Sequence, residues 1–206
     1  KFTKEDKLNF RRLRPRVKGA GEYYILRRAL SEGISIEGQE FYNKLEQNWH
    51  EYFDVFKRFF FDAREQLRKD NLDAWIDLHP VFDDIIKVMK YLNKKNRLFI
   101  ATLKDAESVN LILKKQGLEL RGDCILDQAK IKTKLQALDQ IRNDISCTKK
   151  DMIFIDDNVL HLLKPHKEGY EVFLTGWGQV ISEYVNIAKT NNIRILNECS
   201  LLQAKI

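Results

Sequence analysis

The pattern of apolar and polar residues changes once along the chain, near His79. Between residues 19 and 75 the apolar residues recur at the three- and four-residue spacing of amphipathic helices. Nine of the 22 aromatic residues lie close together within this stretch, at Phe41, Tyr42, Trp49, Tyr52, Phe53, Phe56, Phe59, Phe60 and Phe61. Such density can line an apolar pocket, although it more often packs helices together. The pattern predicts a small helical subdomain over residues 19–76.

After His79, short apolar runs alternate with amphipathic helical segments. Pro80 opens the first helix, with acidic residues early and lysines late, as the helix dipole favours. Four apolar runs are typical of buried strands, at residues 98–101, 124–126, 152–155 and 170–174, and a fifth short run follows at 193–196. Strands that alternate with helices of this length predict an α/β fold, a doubly wound parallel sheet with right-handed crossovers, over residues 77–206.

Ligands of such sheets bind beyond the carboxyl ends of the strands, so the residues at those ends matter most. Thr102 follows the first run, Asp156 and Asp157 follow the third, and the pair Lys132 and Lys134 enters the helix between them. Adjacent carboxylates can hold Mg²⁺ together with water and phosphate oxygens. A hydroxyl can donate to a phosphoryl oxygen, and a lysine can offset phosphate charge. Together these residues predict a phosphate site.

Each residue of this set also has an ordinary structural explanation. A threonine at a strand end is often only a β-former, and a lysine in a Lys-rich segment is often solvated. The run Asp156-Asp157-Asn158 can be a turn and a helix cap. Their order along four regular βα units strengthens the combined signal. GxGxxG, GxxxxGK(S/T), HExxH and GxSxG are all absent from the sequence, which argues against a nucleotide loop, a zinc hydrolase and a serine hydrolase.

Three segments resemble the second, third and fourth motifs of the haloacid dehalogenase-like (HAD) hydrolases. They are Leu98-Phe99-Ile100-Ala101-Thr102-Leu103-Lys104, Lys134 followed by Leu138, and Ile153-Phe154-Ile155-Asp156-Asp157-Asn158. The stretch 169–178 resembles the segment after the fourth motif in phosphoglycolate phosphatase-like members. The resemblance covers residues 76–200 or so, and the helical stretch before it stands where these proteins insert a helical cap.

The resemblance implies a Mg²⁺-dependent phosphohydrolase that acts on a small phosphorylated metabolite through an aspartyl-phosphate. Thr102 and the backbone N–H of Leu103 would bind the phosphoryl group. Lys134 would orient the nucleophile and neutralise charge, and Asp157 with Asp156 would hold the metal.

Two lysine assignments stay open at this point. Lys132 is the alternative to Lys134, because the motif lacks the proline that often sets its register. Lys104 would either contact the substrate phosphate or be a solvated residue at a helix start. His161 departs from the family pattern, since a further Asp or Asn is common near its position.

The largest departure is the first motif, DxDx(T/V), which occurs nowhere in the 206 residues. In the family this motif lies on the central strand and supplies the nucleophile and the general acid/base. We expect a truncated N-terminus, because a missing central strand would leave backbone groups unpaired and costly to bury. The alternative is a non-catalytic relative that binds phosphate ligands or a protein partner.

The net charge of +6 comes from residues 1–18, because the remaining 188 residues hold 28 basic and 28 acidic side chains. A basic segment can contact nucleic acid, but no aromatic-interleaved binding motif accompanies it, so a solvated lead-in is expected and nucleic acid is not. No apolar run approaches the ~20 residues of a membrane span. The cysteines Cys124, Cys147 and Cys199 show no CxxC, which favours a reducing, cytoplasmic setting.

Overall fold

The structure is a computed structural model that describes residues 3–17, 19–178 and 180–197. The chain divides into two compact units, Lys1–Trp75 and Ile76–Ile206. Helices hold 63% of the described residues and strands only 8%. None of the described helices combines the length and the apolar character needed to cross a bilayer.

The first unit is entirely helical in its described part. Its helices are α1 (Lys4–Leu13), α2 (Tyr23–Glu32), α3 (Gly38–Trp49), α4 (Phe53–Asp70) and α5 (Leu72–Asp77), the last of which crosses into the second unit. Single 3₁₀ turns at Arg14–Arg16, Ala20–Glu22 and His50–Tyr52 join them. Thr3 and Asp6 form a reciprocal capping box that starts α1. Gly33, at φ 67°, ends α2 in the left-handed conformation that glycine adopts most easily.

The described part of the basic N-terminal segment belongs to the first unit, with most of its charged residues exposed and its last apolar residues packed in the core. Leu13 at the end of α1 and Val17 just after it are buried. They belong to a core that α2 and α3 complete, made of Leu13, Val17, Ile25, Leu26, Ala29, Ile36, Tyr42, Leu45 and Trp49. The basic residues of α1 therefore lie on the outer face of a packed helix. Of the basic residues counted above, Lys1 and Lys18 lie outside the described residues.

A buried polar pair lies inside this core. The hydroxyl of Tyr42, which is fully buried, donates a 2.9 Å hydrogen bond to Oε2 of Glu22. Burial raises the pKa of Tyr42 above its usual range, and the neighbouring Glu22 carboxylate raises it further. The tyrosine hence remains a neutral donor, which compensates the buried carboxylate.

The aromatic residues pack mainly against one another, as the helical interpretation anticipated. Tyr23 stacks between Phe10 and Phe60, at centroid distances of 5.7 and 5.2 Å. The guanidinium of Arg28 lies over the ring of Trp49 at 4.6 Å. Phe59 on α4 is the most exposed of the nine clustered aromatic residues, at 70%, while Tyr52 and Phe61 are 42% and 43% exposed.

The second unit alternates helices and strands. Its elements are α6 (Asp83–Lys94), β1 (Ile100–Ala101), α7 (Ala106–Lys115), β2 (Ile125–Leu126), α8 (Lys134–Asp144), β3 (Ile153–Asp156), α9 (Val159–Lys167), β4 (Glu171–Thr175), α10 (Ser182–Thr190) and β5 (Arg194–Leu196), with 3₁₀ turns at Gly122–Cys124 and Lys149–Asp151. Every pairing is parallel. β1 pairs with β2, and β4 lies between β3 and β5.

The prediction of one doubly wound parallel sheet is wrong. Strands form where the apolar runs predicted them, but they make two small sheets of two and three strands. β1 and β2 are each only two residues long. Among the described residues, β1 is not paired with β3, either directly or through another strand. An apolar run indicates that a segment can be a strand, whereas continuity of a sheet requires hydrogen-bonding partners that are remote in sequence. The second unit therefore contains two separate small parallel sheets among its helices.

Helix α8 packs against both sheets. Its Ala137 and Ile141 share an apolar cluster with Leu126 of β2. Leu138, on the same helix, shares the largest cluster of this unit with Phe154 of β3. Residues at positions i, i+1 and i+4 of a helix span one broad face, so a single face of α8 holds the two sheets side by side.

We predict that Gly21→Ala lowers the free energy of unfolding by about 1–3 kcal/mol, because a small-to-large change in a packed site forces its neighbours to move. A Cβ at residue 21 would lie 2.8 Å from both Cβ and the backbone oxygen of Phe53. Gly19→Ala is the matched control, since a Cβ there meets nothing within 4 Å and the backbone is extended. Urea denaturation of both variants measures the difference, and equal stabilities would show that α4 does not pack this closely on Gly21.

Candidate functional site

The carboxyl ends of β1 and β3 meet at one lysine. Lys134, the first residue of α8, donates from Nζ to the backbone carbonyl of Ala101 at the end of β1. The same ammonium lies 3.5 Å from Oδ2 of Asp156 at the end of β3. The Lys134 and Asp156 side chains are only 13% and 10% exposed. A buried charge needs a partner of opposite sign, and the Lys134 ammonium and the Asp156 carboxylate serve as that partner for each other.

Asp156 has two further partners that favour its charged form. Nδ1 of His161 lies 3.2 Å from both carboxylate oxygens, and the backbone N–H of Asn158 donates to Oδ1 at 2.8 Å. Burial acts to raise the pKa of Asp156, but the hydrogen bond from His161, the charge of Lys134 and the Asn158 N–H together outweigh it. The pKa of Asp156 is therefore lowered, and the carboxylate is ionised at neutral pH.

A cap at the start of α8 places Lys134. The hydroxyl of Thr133 accepts from the backbone N–H of Gln136, while Oε1 of Gln136 accepts from the backbone N–H of Lys132. This exchange is close to a capping box, and the sequence Thr133-x-x-Gln136 carries its signature. Of the two candidate lysines, the structure brings Lys134 to Asp156, while Lys132 lies two residues earlier, outside the helix.

The residues after β1 form a short hydrogen-bonded turn. The backbone N–H of Thr102 donates to the carbonyl of Leu126, and its hydroxyl oxygen accepts from the N–H of Lys104 at 3.0 Å. Nζ of Lys104 lies 3.2 Å from Nε2 of His79, so this lysine is directed toward the start of the unit. The backbone N–H of Leu103 donates to no acceptor in the described part of the chain. The Leu103 N–H is thus available to a ligand.

Asp157 lies beside the segment that follows β4. A methyl group on Gly178 would come within 2.6 Å of Cβ of Asp157 and 2.9 Å of Oγ1 of Thr175, so only glycine leaves room there. Thr175 is 8% exposed, and its buried hydroxyl oxygen has no hydrogen-bond partner within the described ranges. A buried, unsatisfied hydroxyl costs free energy unless a bound group or water satisfies it. Thr175 was not predicted from the sequence as a site residue. It is the last residue of a strand, and Thr102, which was predicted, directly follows one.

The chemistry of these oxygens fits Mg²⁺ in part. Mg²⁺ is usually bound by one or two carboxylates, with waters and substrate phosphates completing the octahedron. Asp157 and Asp156 supply two carboxylates, and the unsatisfied hydroxyl of Thr175 lies next to Asp157. The described residues contain no cluster of three or more His, Cys, Asp or Glu side chains able to hold a metal by themselves.

A cleft of about 300 Å³ opens next to Lys134. Four basic side chains line it, those of Lys132, Lys134, His161 and Lys164, together with Thr133 and the apolar residues Leu103, Ile131, Leu135, Leu160 and Pro165. No acidic residue is among these lining residues. The cleft is therefore positive, and two of its lining residues, Lys134 and His161, also contact Asp156.

Asp127 is a second residue that the sequence reasoning missed. It follows β2, is 8% exposed, and accepts hydrogen bonds from the backbone N–H groups of Ala106 and Ala129 at 2.9 and 3.0 Å. The sequence feature that could have identified Asp127 is its position as an acidic residue directly after a buried apolar run. Because both oxygens bind backbone donors, Asp127 acts as a structural cap that ties the start of α7 to β2.

The chain matches no protein-family model, no curated protein and no solved structure. The resemblance to HAD hydrolases therefore depends on the sequence motifs alone.

We predict that Asp156→Asn destabilises the protein at pH 7 by about 2–4 kcal/mol, because it leaves the buried ammonium of Lys134 without its counter-charge. Asp156 has a lowered pKa in the folded state, so its contribution is present at neutral pH and is lost as the pH falls below about 4. The stability difference between the variant and the native chain should shrink over that range.

Urea denaturation at several pH values between 7 and 3 measures this effect. Asp144→Asn, at the exposed end of α8, is the control and should leave stability nearly unchanged. A constant difference across the whole pH range would contradict the lowered pKa of Asp156.

Proposed function

We propose that the second unit binds the phosphoryl group of a small phosphorylated metabolite at the carboxyl ends of β1 and β3. The contact of the Lys134 ammonium with both Ala101 and Asp156 supports this proposal most directly. Lys134 places a positive charge where the ends of β1 and β3 come together and at the wall of the positive cleft. Strand ends in parallel sheets are where such ligands commonly bind.

Each neighbouring group has a role in this proposal. Lys134 offsets the negative charge of the phosphoryl oxygens, which a preorganised cation does without reorganisation. The Thr102 hydroxyl and the Leu103 N–H donate hydrogen bonds to the same oxygens. Asp156 holds Lys134 in place through their ion pair, so it acts as a positioning residue.

We propose further that this phosphate site serves a Mg²⁺-dependent phosphohydrolase, as the resemblance to HAD hydrolases implies. Asp157 and Asp156 would hold the metal, which when bound stabilises negative charge on the phosphoryl oxygens. The chemistry also needs a carboxylate nucleophile, and the 206 residues contain no Asp-x-Asp sequence. Hydrolysis through an aspartyl-phosphate thus requires a carboxylate beyond the residues of this sequence. A cytoplasmic setting agrees with the free thiols of Cys124 and Cys147.

The second candidate is a non-catalytic protein that binds phosphate ligands by the same contacts. The absence of an Asp-x-Asp sequence favours it. Release of inorganic phosphate from a panel of phosphate monoesters, with and without Mg²⁺, separates the two candidates. Mg²⁺-dependent release supports the hydrolase, and binding of the esters without release supports the binding protein.

We predict that the chain binds inorganic phosphate and that Lys134→Gln weakens this binding by roughly tenfold or more, since a charge-assisted hydrogen bond contributes about 1.5–3 kcal/mol. Isothermal titration calorimetry measures both affinities. Lys134→Arg keeps the positive charge and should retain more of the phosphate affinity than Lys134→Gln. The comparison of the two variants shows whether affinity is lost with the charge or through misfolding.

Lys167→Gln is the matched control, because Lys167 is exposed at the far end of α9 and does not line the cleft. Native chain that binds no phosphate at millimolar concentration, or equal affinities for the native chain and Lys134→Gln, would overturn the proposed site.

We predict that Mg²⁺ strengthens phosphate binding to the native chain and that Asp157→Asn removes most of this gain, because a carboxylate ligand is replaced by a neutral amide. The same calorimetric titration with and without Mg²⁺ gives the result. The control variant Asp144→Asn should show the same Mg²⁺-dependent gain in phosphate affinity as the native chain. If Mg²⁺ has no effect on the native chain, the metal is not part of the phosphate site.

A further inference from the structure

Two lysines beside the proposed phosphate site have no side-chain partner in the described residues. Lys132 precedes α8 and Lys164 lies on α9, and both are exposed at the wall of the 300 Å³ cleft. Neither makes an ion pair or a side-chain hydrogen bond with any described residue. Lys134, which lines the same cleft, is by contrast buried against Asp156. The cleft thus holds two positive charges that the phosphate contacts proposed above do not use.

The face of α9 toward the cleft is built for contact with a small molecule. Leu160 and Lys164 are four residues apart and therefore lie on one side of the helix, next to His161 and Pro165. Across the cleft, Leu103 and Ile131 add aliphatic surface. The walls combine short apolar side chains with basic groups at the rim, which suits a ligand with a small carbon skeleton and anionic ends.

The size and lining of the cleft restrict the ligand class further. A volume of about 300 Å³ is at the lower end of the usual range for small-molecule sites, roughly 300–1,000 Å³. No aromatic side chain is among its lining residues, so the cleft offers no stacking surface for a base. The lining also lacks an acidic group that would bind an amine. These features favour a compact ligand with two anionic groups over a nucleotide or an amino sugar phosphate.

We propose that the cleft binds a second anionic group of the substrate, a carboxylate or a second phosphate, through Lys132 and Lys164. The phosphoryl group then lies at Lys134 and Thr102, and a short carbon chain lies along Leu103 and Leu160. This proposal rests on the proposed function, because it assigns the remainder of the same ligand. It names the substrate class as small phosphorylated acids or bisphosphates.

Two three-carbon phosphate monoesters test the proposal. Glycerol 3-phosphate carries one phosphate, and 3-phosphoglycerate carries the same phosphate with a carboxylate in addition. We expect 3-phosphoglycerate to bind the native chain roughly five- to tenfold more tightly, since each exposed ion pair contributes only a few-fold in affinity. The double variant Lys132→Gln/Lys164→Gln should bind both esters equally, with its affinity for glycerol 3-phosphate little changed. Glycerol 1,3-bisphosphate, a third ligand, shows whether a second phosphate is preferred to the carboxylate.

Lys167→Gln, on the same helix but outside the cleft, should keep the preference of the native chain. The preference should also shrink as KCl is raised, because exposed ion pairs are screened by salt. If both monoesters bind equally to the native chain and the bisphosphate binds no better, the second-anion site is overturned while the phosphate site stands. If none of the three ligands binds, the proposed function fails and this inference fails with it.

Discussion

The second unit depends on one buried ion pair, between Lys134 and Asp156. Two charged groups with side chains 13% and 10% exposed are costly to remove from water, and their mutual attraction with added hydrogen bonds must offset that cost. The carbonyl of Ala101, the imidazole of His161 and the N–H of Asn158 supply those bonds. Because these partners come from both sheets and from the start of α9, the pair holds the two strand ends at a set separation.

Acidic and basic side chains adjoin one another around this pair. Asp157 and Asp156 offer carboxylate oxygens of the kind that suit a divalent cation. Lys132, Lys164 and His161 line the cleft next to Lys134, which has no acidic lining residue, and His161 also contacts Asp156. Under the proposed function, a phosphorylated acid would place its phosphoryl group at Lys134, where the placement of charge, more than the size of the cavity, would favour it.

The helical unit follows a different physical rule. Its core buries the carboxylate of Glu22, which accepts a hydrogen bond from the neutral hydroxyl of Tyr42. Its basic residues lie mostly outside the core, where Arg28 covers the ring of Trp49 with its guanidinium. Interactions of this kind stabilise a small helical unit by stacking and packing, so the high aromatic content needs no ligand to explain it.

The sequence by itself determined the local elements and the caps that begin them. Apolar runs marked the positions of the strands, and Asp105, Thr133 and Asn158 each cap the helix that the pattern predicted after them. It also showed which residues follow the strands, because those positions are local. Periodicity and capping depend on residues within a few positions of one another, and such signals can be read directly from the chain.

Only the tertiary structure decided how these elements combine. The strands form two sheets and not one, because pairing depends on hydrogen bonds between segments far apart in sequence. That Lys134 and not Lys132 reaches Asp156 follows from the register of α8, which two nearby lysines in a sequence cannot reveal. Likewise, the unsatisfied hydroxyl of Thr175 and the capping role of Asp127 follow from burial and from neighbours that the fold brings together.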